Sequence, residues 1–140
     1  ILRPYSSSVT NRLVKTPKMY FMDTGLAAYL CRWPNAETLQ NGNMDGAFLE
    51  TYVVSEIVKS YYNSGIPVNN LYYYRDIDQK EIDLLIVTAD SIYPIEVKKS
   101  KDPSKPDKNF SVLNKFGLNV KPSTAIFFPS IFLPVEVLYV

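Results

Sequence analysis

The chain has 140 residues, the size of one ordinary domain with room for a short appendage, and its 46% apolar content is enough to build a core, which excludes disorder throughout. Histidine is absent and Cys31 is the single cysteine, so Ser-His-Asp and Cys-His catalysis, His-ligated zinc and an internal disulfide are excluded. A formal net charge of +1 argues against a strongly basic coat for nucleic acid, and any chemistry must run on carboxylates, lysines or hydroxyls.

No apolar run reaches the ~18–20 residues that a membrane span needs, and no signal-peptide pattern opens the chain. The expectation is a cytoplasmic protein without a membrane partner. An opening at Ile1 and an end at Val140 within an apolar stretch lead us to expect a piece of a larger protein.

Residues 1–22 read as two short extended segments around a Ser/Thr/Asn-rich turn, closing in a strand-like stretch at Lys18–Met22. They are expected to form a β-ribbon-like extension that can be deleted with the remainder still folded. Asp23 is expected to cap a short helix reaching Cys31, packed through Leu26–Leu30 and ended by Trp33-Pro34. Cys31 reads as a small buried apolar residue, and residues 34–43 as loop.

The strongest helical signal covers residues 45–64, stopped by Gly65 and Pro67. Strand signals follow at Asn70–Asp76, Lys80–Ala89 and Ser91–Lys99, the last two close enough for a hairpin. Tyr72, Tyr73 and Tyr74 fit core and cross-strand packing better than base stacking. A modest helix at Asn109–Phe116, ended by Gly117, and strands at Ser123–Phe128 and Val135–Val140 complete an α/β order of α-β-β-β-α-β from residue 45.

Charge is laid down unevenly along this order. Residues 1–44 carry five basic and two acidic groups, residues 45–97 three basic and nine acidic, and residues 98–121 seven lysines against Asp102 and Asp107. An acidic centre followed by a lysine-rich segment suits a site that holds a cation and receives an anion; a solvated lysine-rich loop is the plain alternative.

At the helical ~100° per residue, Ala47, Val53, Val54, Ile57, Val58 and Tyr61 fall within about 80° of Glu50, which therefore sits in an apolar stripe. A carboxylate there calls for a cation or a donor, or is a structural group near the helix N-terminus held by its dipole. Asp83 interrupts the apolar run Ile82–Val87, and alternation puts it on one face with Leu85 and Val87. Glu96 and Lys98 share a strand face, and a hairpin lets Asp83 and Glu96 face each other. Facing carboxylates repel unless a cation lies between them, and Mg²⁺ or Mn²⁺ is the expected kind of ion. The alternative is a cross-strand network of Glu–Lys ion pairs.

Glu50 on a helix, then Asp83, then Glu96-Val97-Lys98 resembles the PD-(D/E)xK nuclease superfamily, whose restriction-endonuclease-like core has the same α-β-β-β-α-β order. LVKTPKMYFMDTGLAAYL, GAFLETYVVSEI, LYYYRD, EIDLLI and YPIEVKKS together resemble the C-terminal nuclease-like domain of a group of bacterial and archaeal AAA+-type ATPases. The resemblance implies a mixed central sheet flanked by helices over residues 45–140, preceded over residues 1–44 by the end of a winged-helix-like segment and a linker helix. It implies Glu50, Asp83 and Glu96 as metal-binding acids, with Asp83, Glu96 and Lys98 as the catalytic group. Arg75 matches a recurrent arginine to which no role is assigned. Lys99, Lys101, Lys105 and Lys108, with Lys98, would track phosphates. The implied activity is metal-dependent phosphodiester hydrolysis of nucleic acid, with DNA the expected form. The implied partners are DNA, an ATPase domain of the same chain and further copies of the chain. A catalytically inactive module for DNA binding, oligomerisation or partner recognition is the alternative. No GxxxxGK[ST] occurs, so no ATP site is expected here.

Overall fold

A computed structural model of the chain describes residues 1–6, 16–78, 80–99, 106–122 and 124–127, with the side chains of 106–109 and 124–127 outside that description. The strand expected at Val135–Val140 lies outside the described residues.

The architecture is mixed α/β. Strand β1 (Arg3–Pro4) is followed by helices α1 (Thr24–Leu30), α2 (Ala36–Gln40) and α3 (Asp45–Asn63). Strands β2 (Leu71–Arg75), β3 (Glu81–Val87) and β4 (Ser91–Lys98) come next, then a 3₁₀ helix (Pro106–Phe116) and strands β5 (Asn119–Val120) and β6 (Thr124–Phe127). The strands build one six-stranded mixed sheet in the order β1-β2-β3-β4-β5, with β6 also on β4. β2–β3 and β3–β4 are antiparallel, whereas β1 runs parallel to β2, and β5 and β6 run parallel to β4. No described helix is long and apolar enough to cross a membrane.

The sheet separates two apolar layers. On one face Tyr74, Ile82, Leu85 and Ile92 pack with Phe110 and Leu113 of the 3₁₀ helix. On the other, Leu2, Leu71, Tyr73, Leu84 and Ile95 pack against Ile57, Val58 and Tyr61 of α3. The three consecutive tyrosines divide between these layers by strand alternation, as core packing requires. Gly65 and Gly117 adopt φ of 67° and 70°, the left-handed conformation that ends the helical segments before them.

The amino-terminal segment, expected as an extension outside the core, is built into the sheet and its core. β1 extends the sheet beside β2, and Leu2 is 5% exposed within the α3-side core. Leu2 exchanges both backbone hydrogen bonds with Lys18, at 2.8 and 2.9 Å, and the Tyr73 hydroxyl donates to the Thr16 carbonyl at 2.5 Å. These pairings tie residues 1–6 and 16–18 to the central strands, although Lys18–Met22 forms an isolated bridge and no strand.

Other local differences have simple causes. Asp23 caps α1, its carboxylate accepting from the Leu26 N–H at 2.9 Å, but Ala27 is the buried residue of that helix, and Leu26, Tyr29, Leu30 and Cys31 are exposed. The stretch read as loop contains α2, because the Asn35 side chain accepts from the Thr38 N–H at 2.9 Å and starts a turn. The segment before Gly117 is a 3₁₀ helix.

Candidate functional site

Glu50 lies on the second turn of α3, a helix that buries Val53 and Val54 and packs Ile57, Val58 and Tyr61 against the sheet. Its carboxylate meets those of Glu81 and Asp83 on β3, with one oxygen of each within 4.8 Å of the others.

Asp83 reaches this position by a route that strict alternation does not provide. β2 and β3 pair Tyr72 with Leu85 and Tyr74 with Ile82, so three steps along β3 span two along β2. This is a β-bulge, and the extra residue falls at Asp83-Leu84. Ile82 and Leu85 consequently both pack toward the 3₁₀ helix, and Leu84 toward α3. Alternation counted from Leu85 and Val87 puts Asp83 on the 3₁₀ side, but the bulge lets its carboxylate join Glu50 on α3.

The β3–β4 register runs from Val87 paired with Ile92 to Leu84 paired with Ile95, and Asp83 lies just beyond its last pair. The Asp83 carboxylate accepts from the Val97 N–H at 2.8 Å. Burial above all pushes the Asp83 carboxyl up to about 6; the Val97 N–H opposes this, and the negative charges of Glu96 and Glu50 add to it. Glu96 is only 6% exposed, and it stands outside the group of three oxygens that meet within 4.8 Å. One of its oxygens accepts from Lys98 Nζ at 2.5 Å, while Oε2 is buried with no hydrogen-bond partner among the described residues. Burial pulls the Lys98 pKa down, but the Glu96 carboxylate outweighs it and the net direction is upward.

Three residues complete the site that sequence reasoning missed. Lys18 Nζ donates to Glu50 Oε1 at 2.8 Å and pairs with Glu81 Oε1. The Tyr20 hydroxyl donates to the same Glu50 oxygen at 2.5 Å. Burial and then the Glu50 carboxylate drive the Tyr20 pKa far upward, so the phenol stays protonated. Glu81 is held from its other side by Arg75, through Nε at 2.5 Å and through Nη2, which gives Arg75 the role the sequence left open. Burial raises the Glu81 pKa, yet Lys18 and Arg75 together bring it below the usual carboxylate range. Glu81 was legible as the residue two before Asp83 on the same strand. Lys18 and Tyr20 carry only the alternation of a short strand-like stretch, which does not say what they meet.

Of the expected phosphate-tracking lysines, Lys99 bridges the end of α2 and the start of α3, donating to the Gln40 carbonyl at 2.9 Å and pairing with Asp45. Lys101 and Lys105 lie outside the described residues, as does the Lys108 side chain.

The donor set fits a hard divalent ion. It is made of carboxylate oxygens, and among the described residues Oε2 of neighbouring Glu96 is buried with no donor. Glu50, Glu81 and Asp83 would hold the ion, with Glu96 beside them.

A family model described as a domain of unknown function (DUF4143) matches residues 45–128, beginning where α3 begins. Uncharacterized proteins of Mycobacterium bovis and Mycobacterium tuberculosis are each 28% identical to the chain over 103 residues. The alignment covers 74% of this chain and 22% of each relative, so the chain spans about a fifth of the length of the curated relatives it matches. No solved structure matches.

Proposed function

The chain belongs to the DUF4143 family, a premise that carries no activity of its own, and from its site we propose a divalent-metal-dependent phosphodiesterase acting on nucleic acid, DNA before RNA. The observation that carries this reading is the meeting of Glu50, Glu81 and Asp83 within 4.8 Å. The PD-(D/E)xK resemblance of Asp83 and Glu96-Val97-Lys98 supports it, as does the buried Oε2 of Glu96, which has no partner among the described residues.

When bound, Mg²⁺ or Mn²⁺ would activate water and offset charge on the phosphate. The chain's own contribution is separable from that. Lys98, kept protonated by Glu96, supplies a positive charge toward a phosphate oxygen. Asp83 and Glu96 hold the negative charge that draws a cation, and the sheet fixes the spacing between them. In a longer protein, an AAA+-type ATPase domain would be the partner this module serves, with DNA and further copies of the chain as other partners.

The ion pairs favour a second reading. Lys18 and Arg75 already neutralise Glu50 and Glu81, and Lys98 does the same for Glu96. The same residues would then be a structural network in an inactive nuclease-like module. A cleavage assay separates the two readings. Linear DNA incubated with the chain and millimolar Mn²⁺ is expected to be cut, with cutting abolished by a chelator and reduced about 100-fold or more in Asp83→Asn and in Lys98→Ala. Cleavage that survives Asp83→Asn, or that needs no ion, contradicts the proposal.

A further inference from the structure

We propose that the Lys18 ammonium is the resident cation of this site in the metal-free protein, and that a divalent ion and Lys18 compete for Glu50 and Glu81. The inference rests on the metal-site reading above and adds to it a regulation by the amino-terminal segment.

The geometry gives Lys18 a particular place. Its Nζ spans Glu50 Oε1 at 2.8 Å and Glu81 Oε1, two of the three carboxylates that meet. Its side chain is 19% exposed. Asp83 makes no ion pair among the described residues. Lys18 therefore sits between two acids that would otherwise repel each other, and Asp83 is the acid of the three that has no ion pair among the described residues.

The backbone of Lys18 is fixed, since it exchanges both hydrogen bonds with Leu2. Its four-carbon stem is not, so the ammonium can leave the carboxylates without disturbing the sheet edge. A dication interacts about twice as strongly with the same acids at equal distance, which lets it displace the lysine. Linkage then requires reciprocity: whatever factor Lys18 adds to the stability of the metal-free site, it removes from the affinity for the ion. A released Lys18 would carry its charge toward the phosphate that the ion binds. Attachment of the amino-terminal segment would thus set the ion concentration at which the site fills.

Two measurements test this. Calorimetric titration with Mn²⁺ should show Lys18→Met binding about tenfold tighter than wild type, and its melting temperature should rise more on adding the ion. In the wild-type protein, which avoids any folding defect of the variant, acetylation of lysines read by mass spectrometry should show Lys18 labelled several-fold faster in saturating Mg²⁺. Lys59, paired with Glu56 on the exposed side of α3, serves as the reference and should not change. If wild type and Lys18→Met bind Mn²⁺ equally, or Lys18 labelling is unmoved while the ion binds, the competition is overturned and the metal site stands. If neither protein binds the ion, the metal-site reading fails and the competition with it.

Discussion

Removing residues 1–22 should abolish the cooperative unfolding transition of the chain, or lower its midpoint by tens of degrees. Leu2 leaves the α3-side core, and burying such a side chain is worth about 1.5–3 kcal/mol. β2 loses its parallel neighbour and becomes an edge, and the Tyr73 hydroxyl, buried at 4% exposure of its residue, loses the Thr16 carbonyl. Glu50 and Glu81 lose Lys18, and stripping one partner from a buried pair costs about 3–5 kcal/mol, less here because these side chains are about a fifth to a quarter exposed. The losses together approach the whole net stability of a typical domain, about 5–15 kcal/mol. A circular-dichroism melt of the truncated chain checks this; a sharp transition within a few degrees of wild type would show that the segment is an appendage.

Asp83→Asn should stabilise the metal-free protein at neutral pH by about 2 kcal/mol and flatten its pH dependence between about pH 4 and 7. Folding raises the Asp83 pKa from 3.8 to about 6, mainly through burial, so the native state binds this proton more tightly than the unfolded chain. Its contribution is most favourable below the unfolded pKa and is lost as pH rises through about 6. Glu81 has the opposite sign: its pKa is lowered in the fold, so its contribution is present above the unfolded value and is lost as pH falls through the lower folded one. The two windows separate, and with no histidine in the chain the usual source of a transition near pH 6 is missing. Asparagine keeps an oxygen for the Val97 N–H, so the substitution removes charge with little change in shape. Urea unfolding of both proteins at pH 5 and pH 8 measures the effect. Wild type should lose stability between these values and the variant should not; a variant less stable than wild type at pH 8 would mean that Asp83 is held by a cation after all.

The helix over residues 45–63, strands β2, β3, β4 and β6 and the turns at Gly65 and Gly117 were legible because each rests on local chemistry: apolar period, strand-forming residues and left-handed glycines. The phase of Glu50 toward the sheet was legible for the same reason. Asp83 was harder. Its residue type was informative, but its face depends on a bulge whose existence is decided by pairing with β2, and no pattern within Ile82–Val87 shows it. Lys18 and Tyr20 stand 32 and 30 residues from Glu50, so their meeting is a product of the tertiary fold alone. The exposed Leu26, Tyr29 and Leu30 of α1 show the limit of an apolar pattern, which marks a face able to be covered and leaves open whether it is.

The central claim is that Glu50, Glu81 and Asp83 converge to hold a divalent ion. Its most direct test is calorimetric titration of the chain with Mn²⁺ at neutral pH, alongside Asp83→Asn. The account predicts saturable binding of Mn²⁺ by wild type, a rise in melting temperature that follows the same isotherm, and loss of both in the variant. A wild-type protein that takes up no Mn²⁺ and melts at the same temperature with or without millimolar ion would contradict it, and would leave these acids as the anions of an ion-pair network.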